Sequence, residues 1–146
     1  MPKYKHILVA IDLAPGSDQV VKEASDMARL FGAKLSLVHV IEPLPGYGYA
    51  FIAANEVEQE LMKEASKEMK KIGEKYQTPL AAQHALMGPA KAEILDLAER
   101  EKADLIMLGS HGESGIFALL GSTANAIIHG AKCDVLTVRV HTHENK

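Results

Sequence analysis

The sequence has no tryptophan, one cysteine and few aromatic residues, and each shortage excludes something. Aromatic side chains make up 5% of its 146 residues, so the core must be aliphatic. A single cysteine, Cys133, excludes an internal disulfide framework. No stretch reaches the ~18 apolar residues of a membrane span, and the apolar run near the N-terminus is too short for a signal peptide. We therefore expect a cytoplasmic protein.

Charge of one sign and the common nucleotide motifs are also lacking. A formal net charge of −3 leaves no general excess of basic residues for binding nucleic acid. No G-x-G-x-x-G follows a predicted strand and no G-x-x-x-x-G-K-[ST] occurs, which argues against a standard dinucleotide enzyme and a Walker-type NTPase. The length and the 47% of hydrophobic residues suit one domain over residues 1–146, in which residues 141–146 form a polar tail.

Apolar periodicity predicts short strands that alternate with longer amphipathic helices. The predicted strands are His6–Ile11, Leu35–Val40, Ala81–Met87, Leu105–Leu108 and Val135–Val140. The predicted helices are Ser17–Phe31, Asn55–Tyr76, Ala90–Glu101 and Ser122–His129. We expect Ser17 to be a helix N-cap, Gly73 to end or bend the second helix, and Pro43–Gly48 to form a surface loop that could act as a lid.

This alternation predicts an α/β fold with one doubly wound, five-stranded parallel sheet and helices on both faces. Ligands of such sheets bind at the carboxyl ends of the strands, beside the point where the strand order reverses. After the fourth strand, the glycine-rich segment from Gly109 to Gly115 is followed by Gly121-Ser122-Thr123, which open the last predicted helix. Glycines and a helix N-terminus favour anion binding, although a flexible loop followed by a serine N-cap explains the same residues.

The chain resembles the universal stress protein family, in its adenine-nucleotide-binding branch, over essentially its whole length. The resemblance rests on KHILVAIDLAPGS, LSLVHVIE, AEILDLAEREKADLIMLGSHG and LLGSTANAIIHGAKCDVLTVRV. Nucleotide-binding members carry G-x2-G-x9-G-[ST]; Gly109, Gly112, Gly121 and Ser122 match this pattern with eight residues in place of the nine. The resemblance implies a Rossmann-like fold of the adenine nucleotide alpha hydrolase-like type and a bound AMP, ADP or ATP.

Carried over residue by residue, the resemblance also implies a site. Asp12, flanked by Ala10 and Leu13, would lie near the ribose or the phosphates and is the candidate ligand for Mg²⁺. Val40 would contact the adenine, and Gly88 would let the third strand approach the base or ribose. The residues implied to lie under the ribose are Leu108 and Gly109, and those implied around the phosphates are His111, Gly112, Gly121, Ser122 and Thr123.

Several of these residues have a purely structural alternative. Asp12 could cap the Pro15-Gly16 turn, and His111 could be a solvated loop residue. His39 alternates with the apolar positions of a strand and is interpreted as structural. Cys133 has no evident activating partner and is interpreted as a packed small hydrophobe.

The segment from Gly109 to Thr123, which contains the residues implied around the phosphates, has a charge that favours a ligand with few phosphates. Glu113 lies in it, and no Lys or Arg occurs between Gly109 and Thr123. Because like charges repel at short range, neutralisation must come from backbone N–H groups, a metal or a distant residue such as Lys91.

The favoured function is a stress-response module whose conformation or choice of partner responds to a bound adenine nucleotide. The alternatives are a slow ATP hydrolase or nucleotidyl-transfer enzyme, and an interaction protein with a vestigial site. The sequence shows no general base poised by a neighbour and no basic clamp, so binding is favoured over catalysis. In the resembled family the last strand, here Val135–Val140, forms a homodimer. We expect neither nucleic acid nor a membrane as a partner.

Overall fold

The computed structural model describes residues 3–42, 51–111 and 118–140, with side chains described for residues 3–42, 56–110 and 123–140. The strands are β1 (His6–Ala10), β2 (Lys34–Ile41), β3 (Gln83–Met87), β4 (Leu105–His111) and β5 (Asp134–Val140). The helices are α1 (Ser17–Phe31), α2 (Phe51–Lys75), α3 (Ala90–Arg100) and α4 (Ala118–Gly130), and a 3₁₀ turn covers Leu80–Ala82. None of the described helices has the length and apolarity that crossing a bilayer requires.

The five strands form one parallel sheet in the order β3-β2-β1-β4-β5. This confirms the predicted α/β class and the doubly wound sheet. The chain winds outward in one direction from β1 to β3 and in the other from β4 to β5, so the order reverses between β1 and β4. Ala10 pairs with Leu108 on one side and with Val38 on the other. The carboxyl ends of β1 and β4 therefore flank the switch point, where α/β sheets bind ligands.

The sheet separates two aliphatic cores. On one face, Ile7 and Val9 of β1 pack with Val21 of α1 and Met69 of α2. On the other face, Leu8 packs with residues of α3 and α4, including Ile94, Leu97 and Ile127. No aromatic side chain is among the fully buried residues of the described chain, as expected from the composition. Each of these large side chains contributes about 1.5–3 kcal/mol through burial.

The start of α1 and the end of α2 correct two expectations. Gly16, with φ 107°, is the N-cap of α1, and Ser17 is the first helical residue, not the cap. Glycine adopts this left-handed conformation without steric cost, which explains why the cap falls there. Helix α2 continues through Gly73 to Lys75, so Gly73 does not end it. A Cβ at Gly73 would overlap the Gln83 amide, so the missing side chain allows β3 to pack closely.

Two further expectations, on the end of β4 and the start of α4, are also corrected. Strand β4 extends through His111, so Gly109 and Ser110 pair with β5 as strand residues and do not open a loop. Helix α4 begins at Ala118, four residues before the predicted start at Ser122. Alanine and leucine at 118–120 are strong helix formers, and a single glycine at 121 does not prevent the helix from including them. The proposed lid, Pro43–Gly48, lies outside the described residues.

Candidate functional site

A cavity of about 300 Å³ opens at the carboxyl ends of the strands, at the switch point between β1 and β4. This volume is at the lower end for small-molecule sites and suits a mononucleotide better than a dinucleotide. Some of its walls are residues that the sequence singled out, namely Ala10, Asp12, Val40, Leu108, Gly109 and Thr123. The others that line it are Ile11, Gly16, Ser17, Val20, His39, Glu42, Ala90, Ile94, Ala124 and Val140.

Asp12 lies at the cavity and also holds the turn that connects β1 to α1. Its Oδ1 accepts hydrogen bonds from the Ala14 N–H at 2.9 Å and from the Ser17 hydroxyl at 2.9 Å. The first of these bonds closes an Asx turn, so the structural alternative for Asp12 is present together with its place at the cavity. Leu13, with φ 60°, packs against the core on the α1 and α2 face and is not part of the cavity wall.

Gly109 forms part of the cavity floor and is closely packed from below. A Cβ at this position would lie 2.9 Å from Val20 Cγ2 and 3.2 Å from Val140 Cγ2. Both valines line the same cavity. Because Gly109 has no side chain, the β4 backbone packs directly against Val20 of α1 and Val140 of β5.

The end of β2 supplies an acidic residue that sequence analysis did not assign to the site. The Glu42 side chain is exposed, and its Oε2 accepts a hydrogen bond from the Ala90 N–H at 2.9 Å. Ala90 is the first residue of α3, so this carboxylate caps the helix. The signal in the sequence was the position of Glu42 directly after a strand that leads to the predicted ligand edge.

His39 is structural, as expected, and also lines the cavity. Its Nδ1 lies 2.8 Å from the Ile11 carbonyl oxygen, which can only accept, so Nδ1 carries the proton. This hydrogen bond joins β2 to the segment that follows β1. It fixes the position of the Ile11 backbone just before Asp12.

Gly88 has a structural reason to be glycine. Its φ of +147° is one that side-chain-bearing residues rarely adopt, and a Cβ would lie 2.8 Å from the Glu93 carboxylate. Gly88 is not part of the cavity wall that the structure describes. This conformation directs the chain from β3 into α3.

Of the phosphate-binding residues implied by the resemblance, the structure places one in the described cavity wall. Thr123 lies on α4 and lines the cavity. His111 ends β4, opposite Val140 in the register, and Gly121 and Ser122 lie inside α4; their side chains are not described. Since the free N–H groups of a helix belong to its first turn, those of α4 precede Gly121. Gly112 lies outside the described residues.

The described part of the cavity wall carries acidic and no lysine or arginine side chains. Asp12 and Glu42 are its carboxylates. The distant cation considered from sequence, Lys91, does not line the described wall: its Nζ would lie 3.9 Å from a Cβ at Gly130, the last residue of α4. A helix of 13 residues is about 20 Å long, so the Lys91 amine lies far from the first turn of α4 in this structure.

The described residues do not form the constellations of metal or nucleophilic catalysis. They contain no group of three or more His, Cys, Asp or Glu side chains arranged for a metal ion. A Ser–His contact exists, with Ser36 Oγ 2.7 Å from His6 Nε2. Both residues are buried, outside the cavity, and lie on the amino-terminal halves of β1 and β2, so a substrate in the cavity could not reach them.

Cys133 is half-buried and packs beside the core on the α3 and α4 face. Burial raises the pKa of its thiol, and the nearby carboxylates of Asp134 and Asp104 raise it further. A thiol with a raised pKa is a poor nucleophile near neutral pH. The structure therefore supports the interpretation of Cys133 as a packed residue.

Comparisons with known proteins identify the family. The model of the Universal stress protein family matches residues 3–139. The chain is 46% identical, over 143 residues, to Universal stress protein A homolog 2 of Coxiella burnetii, covering 96% of this chain and 98% of that one. It superposes on the hypothetical protein MJ0577 with a TM-score of 0.76 and 26% identity, covering 98% and 99% of the two chains.

A third comparison bears on ligands. A crystal structure of a universal stress protein in complex with cAMP matches with a TM-score of 0.65 and 24% identity, covering 93% of this chain and 97% of that one. At this identity the likeness concerns the fold, and cAMP is a ligand of that protein. With the matched family model and the close relative, the predicted resemblance is confirmed: the chain belongs to the universal stress protein family.

Proposed function

We propose that this protein binds an adenine mononucleotide in the cavity at the switch point and acts as a regulatory module of the stress response. The observation that carries the proposal is the cavity itself, which lies where α/β sheets bind nucleotides and is lined by Ala10, Asp12, Val40, Leu108 and Gly109. Membership of the universal stress protein family and a relative that binds cAMP support it. We keep the cytoplasm as its expected location.

The adenine lies at the β2 and α3 end of the cavity in this proposal. Val40, Ala90 and Ile94 belong to or pack beside the same aliphatic cluster and provide flat apolar walls for a base. No Phe, Tyr or Trp lines the described wall, so in this proposal the base is held mainly by aliphatic contacts and backbone polar groups. The ribose then lies above Leu108 and Gly109, in the centre of the sheet.

The phosphates lie at the α4 end. Thr123 supplies a hydroxyl there, and the first turn of α4 supplies free N–H groups and the positive end of the helix dipole. His111, Gly112, Gly121 and Ser122 remain proposed phosphate residues. Mg²⁺ is held in proteins by one or two carboxylates together with substrate phosphates, and Asp12 is the carboxylate that would serve.

The charge of the described wall favours few phosphates. Two carboxylates and no lysine or arginine surround the ligand, so each added phosphate gains little direct neutralisation. We expect AMP to bind at least as tightly as ATP in the absence of Mg²⁺.

A dimer through β5 is part of the proposal. Strand β5 is at the edge of the sheet and pairs with β4 on one side only within the described chain. Edge strands that carry apolar residues are usually covered, and Val135, Leu136 and Val138 are half-buried on this one. Sedimentation velocity at micromolar concentration should show a dimer, and a monomer at that concentration would refute this part of the proposal.

The binding proposal is tested by mass spectrometry of the purified protein together with calorimetric titration of AMP, ADP and ATP. We expect a co-purifying adenine nucleotide or saturable heat with at least AMP. The absence of both at millimolar nucleotide would exclude the function. Phosphate release that Asp12→Ala abolishes would instead favour the enzyme.

A matched pair of variants connects the binding to the cavity. Ala10→Val adds two methyl groups to the cavity wall in a strand, where valine is well tolerated. Ala85→Val makes the same change in β3, away from the cavity. We expect Ala10→Val to weaken AMP binding at least about tenfold through steric overlap, and Ala85→Val to leave it unchanged.

A further inference from the structure

Glu42 lines the cavity but has no role in the ligand binding proposed above. It follows directly on β2, lines the cavity, and accepts the Ala90 N–H at 2.9 Å through Oε2. One of the two carboxylate oxygens thus caps α3. A carboxylate has about four acceptor positions, so one helix cap leaves Glu42 with further capacity to accept hydrogen bonds.

The cap has a consequence for anions. Two helices contribute to the cavity wall, α3 through its first residue Ala90 and α4 through Thr123 and Ala124, and a helix N-terminus can attract a phosphate. At α3 the first N–H group is already bonded to Glu42, and the Gly88 N–H is bonded to the Ile41 carbonyl oxygen at 3.0 Å. A phosphate placed there would meet the Glu42 carboxylate, which repels it and already occupies the first N–H group of the helix. The phosphates are therefore directed to α4, and the base is left at the end that contains Glu42.

An ionised carboxylate accepts hydrogen bonds and cannot donate them. Beside it, the walls formed by Val40, Ala90 and Ile94 are aliphatic and offer no competing side-chain polar group. A base at this end is thus favoured when it directs a hydrogen-bond donor, such as an amine, at Glu42. It is disfavoured when that position carries a C–H group or a carbonyl oxygen, neither of which donates such a bond. Resting on the proposed function, we propose that Glu42 makes the cavity selective for a purine with an exocyclic amine.

The test removes the amine from the ligand and the carboxylate from the protein, separately and together. The two ligands are AMP and purine riboside 5′-monophosphate, which carries hydrogen in place of the amine. In the wild-type protein we expect AMP to bind about tenfold more tightly, since a hydrogen bond to a charged acceptor has roughly that effect. In Glu42→Ala the ratio of the two dissociation constants should fall at least about fivefold.

Two further variants separate selectivity from the helix cap. Glu42→Gln keeps a side-chain oxygen that can cap α3 and accept from the amine, so it should retain most of the preference for AMP. Glu93→Ala removes a carboxylate from the first turn of the same helix, beside Gly88 and outside the cavity wall, and should leave the ratio at its wild-type value. Calorimetry measures all eight dissociation constants.

The possible results are distinct. An unchanged ratio in Glu42→Ala, or an equal fall in Glu93→Ala, overturns the role of Glu42. Equal binding of both ligands to the wild-type protein overturns it too, while the proposed function stands. If the wild-type protein binds neither ligand at millimolar concentration, the proposed function fails, and the role of Glu42 fails with it.

Discussion

Asp12 offers a substitution pair that separates the stability of the β1–α1 turn from ligand binding. In the folded protein its Oδ1 accepts two hydrogen bonds of 2.9 Å, from the Ala14 N–H and the Ser17 hydroxyl. Asp12→Ala removes both acceptor contacts. Because Ser17 is only 6% exposed, its hydroxyl would also be left without this acceptor in a buried position.

The structure sets the expected magnitudes. Two hydrogen bonds at about 0.5–1.5 kcal/mol each, with the penalty for a buried hydroxyl, give a loss of about 2–3 kcal/mol in the free energy of unfolding for Asp12→Ala. For a chain of this length the melting temperature should fall by roughly 6–10 °C. Asp12→Asn keeps an oxygen in the same place and should cost less than about 1 kcal/mol.

The two variants should behave alike in metal-assisted binding, because both remove the negative charge. Calorimetric titration with ADP, with and without Mg²⁺, measures that contribution, and urea denaturation measures stability. We expect Mg²⁺ to strengthen ADP binding to the wild-type protein and to have almost no effect on either variant. If Asp12→Asn retains the full effect of Mg²⁺, Asp12 is a turn residue only. If it loses as much stability as Asp12→Ala, the turn depends on charge and the hydrogen-bond account is wrong.

Three other predictions concern the rest of the molecule. Gly109→Ala should lower the free energy of unfolding by about 1–3 kcal/mol, because the added methyl group overpacks against Val20. In urea denaturation, the double variant with Val20→Ala should be at least ~1 kcal/mol less destabilised than the sum of the two single changes. Additive effects would contradict the close packing of Gly109 on Val20. Burial raises the pKa of Asp104, but two backbone N–H groups at the start of β1 outweigh burial and hold the pKa below its usual range. This carboxylate therefore stabilises the fold above pH ~4 and loses that effect as the pH falls further, so Asp104→Asn should be destabilising at pH 7 and nearly neutral at pH 2–3. Cys133, with its raised pKa, should react with iodoacetamide at pH 7 more slowly than glutathione and should speed up in urea; equal rates in the folded protein would refute its burial.

The sheet could be predicted from the sequence because parallel strands covered on both faces leave a clear pattern. The run HILVA is apolar after its first residue and LIML is apolar throughout, and both form inner strands of the sheet, β1 and β4. The helix Ser17–Phe31 was predicted with its observed bounds, since its apolar stripe is flanked by a turn and by Gly32. Gly32 has φ 66° and ends the helix in the left-handed conformation that glycine favours.

The ends of the strand and helix near the site were harder to predict, because glycine occurs in loops, in tightly packed strands and within helices. Gly109 suggested a loop after β4, yet it is a strand residue that has no side chain because Val20 and Val140 lie beneath it. Gly121 suggested the start of a helix, yet α4 begins at Ala118. In both cases tertiary packing or neighbouring helix formers outweighed the local signal.

The cavity was predicted at the correct sheet edge, but only some of its wall was. Asp12 directly follows the first predicted strand and could be found by that position, whereas Val40 was assigned only through the family resemblance. Ala90 and Ile94 look like ordinary residues of an amphipathic helix, and nothing local indicates that α3 starts at the cavity. The bond between Glu42 and Ala90 joins residues 48 positions apart, which no local pattern encodes.

Nuclear magnetic resonance of the ¹⁵N-labelled protein, titrated with AMP, tests the central claim most directly. The account predicts saturable shifts of the backbone amides that surround the cavity, above all those of Ala10, Asp12, Val40 and Leu108, with little change in the C-terminal halves of α1 and α3. Absence of shifts at millimolar AMP, or shifts centred away from the carboxyl ends of β1 and β4, would contradict it.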